Sequence, residues 1–240
     1  MENQSVSQRL HDNLSQIIAM AQPGARLPSE PDLAHKLGVS RATLREAMRT
    51  FETQGLIRRK QGAGTYVTHH SHVIESGLEI LESIETLAER IGLQVSLGEW
   101  KMENRPATLE EAHLLGSNAE GSVVVVKRVI LAEDRPVAYL IDTLPQDVFS
   151  AEDLSSGFTG SVLDLLLQRG TPALHSSRTE INAVTASPEV ARALGIQRGD
   201  VLLRFVAYLY AIDGRVVDHS YSYFLPGYFR FHVVRKVGLA

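Results

Sequence analysis

The chain of 240 residues contains no cysteine, a single tryptophan and no long uninterrupted apolar run. Without cysteine there can be no disulfide framework, no thiolate zinc site and no cysteine nucleophile. A membrane-spanning helix needs about 20 apolar residues in succession, and the N-terminal segment MENQSVSQRL lacks the apolar region of a secretory signal. We therefore expect a cytoplasmic protein.

The common signatures of enzyme sites are missing as well. The sequence has no glycine-rich phosphate-binding loop, and no acid and base stand out beside a nucleophile. We therefore expect no enzyme and no cofactor. The hydrophobic content of 44% and charged content of 22% are typical of a globular protein, and the length suits two domains of about 100–150 residues each.

Charge is distributed unevenly along the chain, although the formal net charge is only −4. Residues 1–68 carry nine lysines and arginines against six acidic residues, whereas residues 69–240 carry fifteen against twenty-two. Within 36–60 there are seven basic residues and two acidic ones. This asymmetry favours a small DNA-binding module joined to an acidic domain, with a solvated basic face as the alternative.

The first 68 residues predict three helices followed by a β-hairpin. Apolar spacing predicts a first helix over 7–21, and Ser29 and Gly38 are the N-cap and the terminating glycine of a second. A third helix begins at Ser40 and ends at Gly55, and it is followed by strands over 56–59 and 65–67. This order is that of a winged helix-turn-helix.

The polar face of the third helix predicts the function of this module. Arg41, Thr43, Arg45 and Arg49 project away from its apolar stripe, and the second helix of such a motif lies in the major groove of DNA. Arginine suits this position because its planar fork donates two hydrogen bonds to guanine. The full set of candidate DNA-binding residues is Ser29, Arg41, Thr43, Arg45, Arg49, Arg58, Gln61 and Gly62.

The segment GARLPSEPDLAHKLGVSRATLREAMRTFETQGLIRRKQGAGTYV, residues 24–67, resembles the DNA-binding domain of the GntR family. The resemblance covers 5–67 and implies that Arg41, Thr43 and Arg45 read an operator. It also implies that Gln61 and Gly62 sit at the wing tip in the minor groove. The sequence departs from the family at Pro31, where many members have an arginine that contacts DNA.

Residues 69–76 are polar and aperiodic, and we interpret them as a linker. His69, His70 and His72 suggest a metal site, but without cysteine or further clustered histidines we favour solvated histidines and expect no metal.

Residues 77–240 predict an α+β domain built on an antiparallel sheet. Apolar periodicity and capping residues indicate helices over 77–91, 108–115, 161–169 and 187–194. Apolar runs and turn residues indicate strands over 123–131, 136–144, 178–184, 201–211, 215–224 and 229–236.

The order of these elements resembles the UTRA effector domain of the HutC subfamily, which has a chorismate-lyase-like fold. The resemblance covers 83–236, and it is carried by the segments KRVILAEDRPVAY, TGSVLDLL, SPEVARALG, GDVLLR, DGRVVD and YFRF, which start at 127, 159, 187, 199, 213 and 228. It implies a homodimer whose affinity for DNA changes when a metabolite binds.

A ligand pocket in such a domain needs a few convergent polar groups on an apolar wall. The guanidinium of Arg128 suits an anion, and Ser161 lies at a helix start that can hold one. Alternation along two strands adds Arg178 with Glu180 and Tyr221 with Tyr223, each of which has an exposed strand residue as its alternative.

Two departures from the resemblance bear on the ligand. Subfamily members that bind sugar phosphates tend to have a second arginine where this chain has Ile130, and a glutamate where it has Leu140. We therefore expect a less polar effector with at most one anionic group.

The sequence predicts a sequence-specific transcription regulator, which we expect to be a repressor that acts on an inverted-repeat operator; activation is the alternative sign. Two alternatives of other kinds remain: an enzyme with a chorismate-lyase-like site, and a dimer that binds DNA without responding to any effector.

Overall fold

The structure is a computed structural model that describes residues 6–53, 55–60, 62–68, 73–116, 121–150, 152–153, 158 and 160–235. Its described residues divide into two compact units. The first contains the chain up to Val73 together with Leu225–Tyr228, and the second contains the rest from Ile74 onward. No helix in the described ranges is both long and apolar enough to cross a membrane.

The first unit is a winged helix-turn-helix. Its elements are α1 (Val6–Met20), α2 (Glu30–Leu37), α3 (Arg41–Thr53), β1 (Ile57–Lys60) and β2 (Gly64–Val67). The two strands are antiparallel and form the wing. One apolar cluster holds the helices and the wing together, and its fully buried members include Leu14, Leu33, Leu44, Phe51 and Ile57.

Local capping sets the turn between α2 and α3. The Ser29 hydroxyl accepts a hydrogen bond from the Asp32 N–H at the start of α2. Gly38 ends α2 in the left-handed conformation at φ 65°, which glycine adopts without steric cost. The Ser40 hydroxyl accepts from the Thr43 N–H and caps α3. The predicted caps of both helices are therefore present.

The second unit is built on a six-stranded antiparallel sheet, in the order β4, β5, β6, β9, β8, β7. These strands are β4 (Val95–Pro106), β5 (Ser122–Ala132), β6 (Arg135–Pro145), β7 (Leu174–Thr185), β8 (Val201–Ala211) and β9 (Val216–Phe224). Short helices accompany them, including α4 (Ile84–Arg90), α5 (Leu109–Leu114), α6 (Val162–Arg169) and α7 (Pro188–Leu194). The predicted α+β architecture is confirmed.

The two faces of this sheet bury different apolar clusters. On one face, Val124 and Val126 of β5 pack in a cluster with Val162 and Leu166 of α6. On the other, Val123 and Val125 pack with Leu115, which follows α5. Because side chains alternate along a strand, the parity of each residue determines which face it joins.

The prediction of a helix over 77–91 is wrong in its first half. The N-cap at Ser83 starts α4, so only Ile84–Arg90 is helical. Before it, β3 (Ile74–Gly77) pairs in parallel with β10 (Phe229–His232), far along the chain. The predicted linker 69–76 therefore ends in a strand, and residues 69–72 with their three histidines lie outside the described part of the chain. The sequence analysis also missed β4, the edge strand beside β5.

Candidate nucleic-acid interface and ligand cavity

The N-terminal half of α3 presents an exposed polar surface. Arg41, Thr43 and Arg45 are exposed, whereas Leu44 and Met48 on the other side of the helix are fully buried. The apolar stripe fixes the helix on the core, so its polar side chains face away from that core.

Arg45 is oriented by a neighbouring helix. Its Nε donates a hydrogen bond of 2.6 Å to Glu30 Oε2 of α2, while 65% of the Arg45 side chain stays exposed. That bond leaves the two terminal amino groups of the guanidinium as donors. A planar fork held in this way is ready to bind two acceptors side by side, as guanine presents them in the major groove.

Two other polar side chains of α3, those of Thr43 and Arg49, make contacts close by in the chain. The Thr43 hydroxyl lies 2.8 Å from the Ser40 hydroxyl, and Arg49 Nη2 donates to Glu46 Oε1 at 2.8 Å. Only 24% of the Arg49 side chain is exposed. Arg45 is therefore the more accessible of these two arginines.

The wing is a short hairpin with a basic surface. Arg58 pairs with Tyr66 across the two strands, and Lys60 Nζ lies 5.4 Å from the centre of the Tyr66 ring. Gly62 turns the chain at φ 74°, and a Cβ there would meet no atom within 4 Å. Gln61, the predicted wing-tip residue, lies outside the described residues.

The second unit encloses a cavity of about 570 Å³ on the α6 side of its sheet. The segment from Ser76 to Leu87, with the first part of α4, forms one wall, and β5, β6, β7, β8 and β9 form the other. The strand register aligns Arg128, Leu140, Ser222, Phe205 and Ile181 in one row across the sheet. These residues all line the cavity, which has the size and mixed lining of a small-molecule site.

Of the six predicted effector-binding residues, Arg128 and Ser161 line this cavity. Arg128 is 5% exposed and Ser161 is 1% exposed. The Ser161 hydroxyl caps α6 by accepting from the Asp164 N–H at 3.1 Å. Both side chains are therefore buried polar groups that the fold aims at the same space.

The other four predicted residues, Arg178, Glu180, Tyr221 and Tyr223, lie on the face of the sheet opposite this cavity. Ser177, Thr179 and Ile181 line the cavity, and so do Ser220 and Ser222. The intervening residues point to the opposite side, where Arg178 pairs with Glu180 at 3.0 Å in exposed surroundings. Alternation predicts two faces correctly but does not say which face the cavity occupies.

Five acidic residues that were not predicted line the cavity: Glu79, Glu82, Glu85, Asp142 and Asp218. The last three interact electrostatically with Arg128. Asp142 and Asp218 are 6% and 7% exposed. Each is the one carboxylate in a strand segment that has no other acidic or basic residue at neutral pH, LIDTL and VVDHS, with histidine taken as neutral. Because charged residues are rarely buried without a partner, that isolation is the signal that could have found them.

Burial dominates the electrostatics of these carboxyl groups. It raises the pKa of Glu85 and of Asp142, although the nearby Arg128 guanidinium acts in the opposite direction. The pKa of Asp218 is raised well above its ordinary value by burial and then by the adjacent Asp142 carboxylate. The cavity thus holds one guanidinium among three carboxyl groups that resist ionisation.

A winged helix-turn-helix with a basic recognition helix, joined to a sheet unit that encloses a polar cavity, defines a DNA-binding transcription regulator with an effector domain. Residues 3–67 match the bacterial regulatory proteins of the gntR family, and residues 92–230 match the UTRA domain. The chain belongs to the gntR family and carries a UTRA domain.

Named relatives agree with this assignment. The chain is 29% identical over 201 residues to the HTH-type transcriptional repressor NagR of Bacillus subtilis, covering 84% of this chain and 82% of NagR. It is 30% identical over 226 residues to the regulator Rv0792c of Mycobacterium tuberculosis, covering 91% and 81%. Since these relatives are transcription regulators, the enzyme alternative is not supported.

The fold is shared with a solved structure. The crystal structure of PhnF from Mycobacterium smegmatis superposes with a TM-score of 0.63 at 21% identity, and the match covers 95% of this chain and 100% of that one.

Proposed function

We propose that the protein is a homodimeric repressor that binds an inverted-repeat operator and releases it when a small molecule enters the cavity of the second unit. We assign DNA binding to residues 1–68 and effector binding with dimerisation to residues 77–240. Because the operator is chromosomal DNA, the protein acts in the cytoplasm.

The observation that carries the DNA-binding half of this proposal is the exposed, pre-oriented guanidinium of Arg45 near the start of α3. We assign base reading to Arg41, Thr43 and Arg45, since the N-terminal residues of a recognition helix meet base edges. The N–H groups at the start of α3 are donors for a phosphate. Ser29, Arg49, Arg58, Gln61 and Gly62 complete the interface, with the wing reaching the adjacent backbone or minor groove.

The names of the relatives support the repressor assignment. Besides NagR, the chain is 28% identical over 184 residues to the histidine utilization repressor of Pseudomonas putida, covering 75% of this chain. A dimer places two recognition helices on one side of the duplex, so the half-sites should be related by two-fold symmetry. Their centres should lie about 10 base pairs apart, or a multiple of that distance.

The effector half of the proposal rests on the cavity. Arg128 is the one arginine or lysine among the described residues that line the cavity, and it is already near Asp142, with Nη2 at 3.4 Å from Oδ2. A doubly charged phosphate would need more compensating cations than the described lining provides. We therefore propose an effector with at most one anionic group. A coupling free energy of typically 1–3 kcal/mol between the two sites would change operator affinity about 5–150-fold.

Selection of bound sequences from a randomised duplex library tests the proposal. The full chain should enrich an inverted repeat with two similar half-sites. Enrichment of no sequence, or of one unpaired half-site, would contradict a dimer that reads an operator.

The alternative function is a dimer that binds DNA without responding to an effector. A second experiment on the selected operator distinguishes it from the proposed repressor. A small molecule that releases wild-type protein should fail to release the Arg128→Ala variant, while both proteins bind the operator equally well without it. Equal release of both proteins would show that Arg128 and its cavity are not the effector site.

A further inference from the structure

The charges buried in the cavity do not match those of an anion-binding site. One guanidinium, Arg128, lies among three carboxyl groups, those of Glu85, Asp142 and Asp218. Taken as ionised, this inner set has an excess of two negative charges. Burial raises the pKa of these carboxyl groups, so they ionise most readily when a cation is bound beside them. A phosphate or carboxylate would instead lie next to carboxyl groups, with Arg128 as its cationic partner.

Several polar atoms of this set have no hydrogen-bond partner among the described residues. They are Arg128 Nε and Nη1, Glu85 Oε1, Asp142 Oδ2 and Asp218 Oδ1. Arg128, Asp142 and Asp218 are each more than nine-tenths buried and line the cavity. Because a buried polar group without a hydrogen-bond partner destabilises the fold, a ligand that supplies the missing partners stabilises this arrangement.

The start of α6 is also poorly suited to an anion. Its first turn contains Asp164, whose Oδ2 accepts a hydrogen bond of 2.6 Å from the Ser83 hydroxyl. A Cβ placed on Gly160, just before Ser161, would lie 3.7 Å from Glu85 Oε1. Carboxylates of the protein itself therefore already surround the positive end of this helix.

The remaining lining is apolar and aromatic along one side. Phe205 packs against Phe224 and Phe231 with ring centres 5.0 and 4.5 Å apart, and Ile181 follows in the same region. A ligand that fits both parts of the cavity has an apolar body and a polar head.

We propose that the effector carries a cationic nitrogen on an apolar body, and that Asp142, Asp218 and Glu85 receive this nitrogen. A single carboxylate of the ligand, where there is one, pairs with Arg128. The ligand class is thus an amine or a zwitterion, not a sugar phosphate. This inference rests on the proposed function, because it assumes that the cavity is the effector site.

The protonation chemistry of the site supports the proposal. Burial raises the pKa of all three carboxyl groups, so the empty cavity favours their protonated forms. An ammonium group favours the ionised forms, so its binding releases protons. The charged groups that act on these carboxyls are Arg128 and Asp164, in addition to the three carboxyls themselves.

Three probes with one apolar body and different heads test the proposal: 2-phenylethylammonium, 2-phenylethanol and 3-phenylpropionate. Thermal shift and titration calorimetry on the full chain should rank their affinities in that order. The Asp218→Asn and Glu85→Gln variants should each weaken the ammonium probe about tenfold and the alcohol little. Glu110→Gln, which removes an exposed carboxylate on α5, should change neither.

Other results of these binding measurements would contradict the ligand class, the role of the carboxyl groups or the effector response. If 3-phenylpropionate or glucose 6-phosphate stabilises the protein and 2-phenylethylammonium does not, the ligand class is wrong, whereas the proposed function stands. If the ammonium probe binds equally well to all variants, the carboxyl groups do not receive it. If none of the probes binds, the proposed ligand class is wrong. The proposed effector response fails separately if Arg128→Ala and wild type respond alike to molecules that release the operator.

Discussion

The charged side chains of α3 and those of the cavity obey opposite rules. Arg45 and Arg41 are exposed, so each is solvated and its substitution removes little from the fold. Arg128, Asp142 and Asp218 are buried, and several of their polar atoms lack partners among the described residues. The exposed arginines of α3 therefore do not destabilise the folded protein when DNA is absent. The buried charged groups of the cavity do destabilise it, and a bound ligand can remove that destabilisation.

The largest effect should come from α3. Replacing Arg45 by alanine should weaken operator binding by about 1–3 kcal/mol, which is about 5–150-fold, because a bidentate contact to guanine is lost. The melting temperature should stay unchanged, since 65% of that side chain is exposed. Fluorescence anisotropy on the selected operator and a thermal melt measure the two effects. A large fall in melting temperature would mean that Arg45 is structural.

A buried carboxyl should show the reverse pattern. Asp218→Asn keeps the shape of the side chain and removes a carboxyl whose pKa is raised by burial and by Asp142. A group with a raised folded-state pKa destabilises the fold as pH rises through that pKa, so the variant should gain stability, and more at pH 8 than at pH 5. A gain of about 1 kcal/mol corresponds to about 2–4 °C in melting temperature.

Operator affinity should be the same for Asp218→Asn as for wild type. The matched control is Glu110→Gln, which should leave the melting temperature nearly unchanged because the side chain is exposed. A loss of stability in Asp218→Asn at every pH would contradict the account of the buried cluster.

The Arg105–Glu111 pair is a useful contrast to the cavity cluster. It also joins an arginine to a carboxylate, but here the carboxylate oxygens have hydrogen-bond donors. Glu111 accepts two hydrogen bonds of 2.6 and 2.7 Å from Arg105 and one from the Thr108 N–H. These contacts lower the pKa of Glu111 to about 2. Its stabilisation is therefore present above pH 4.5 and is lost as pH falls towards 2.

Glu111→Gln should cost about 1 kcal/mol at neutral pH, after allowance for solvent screening, and less at pH 3. Urea unfolding at the two pH values measures this difference. An equal cost at both would show that the pair acts through packing and not through charge.

The smallest effect should come from Glu30, which orients Arg45 without itself reading DNA. Glu30→Gln should reduce operator affinity by at most about fivefold, because an exposed pair of this kind is worth about 0.2–1 kcal/mol. In the Arg45→Ala background the same substitution should have no further effect, since the residue it orients is absent. If the losses of operator affinity in the double variant were additive, Glu30 would affect DNA binding independently of Arg45.

Much of the first unit could be predicted because local rules determine it. Ser29, Gly38 and Ser40 fix the ends of α2 and α3 through neighbouring backbone groups, and the apolar spacing identifies the buried stripe. The fold class of the second unit was also predictable from its hairpins and capping boxes.

The strands that were not predicted form because they pair with segments far away in the sequence. β3 exists because residues 229–232 pair with it, and β4 is an edge strand with few buried residues and no clear alternation. Two of the six predicted effector residues, Arg128 and Ser161, line the cavity, whereas Arg178 and Tyr221 are on strands that border it but lie on the opposite face of the sheet. Which face of a sheet holds a cavity depends on where α4 and α6 pack, and strand periodicity does not contain that information.

The most direct test of the central claim, that α3 reads operator bases, is to repeat the sequence selection with the Arg45→Ala variant. The account predicts that one position of each half-site loses its preference while the rest of the inverted repeat is kept. An unchanged preference at every position would contradict it.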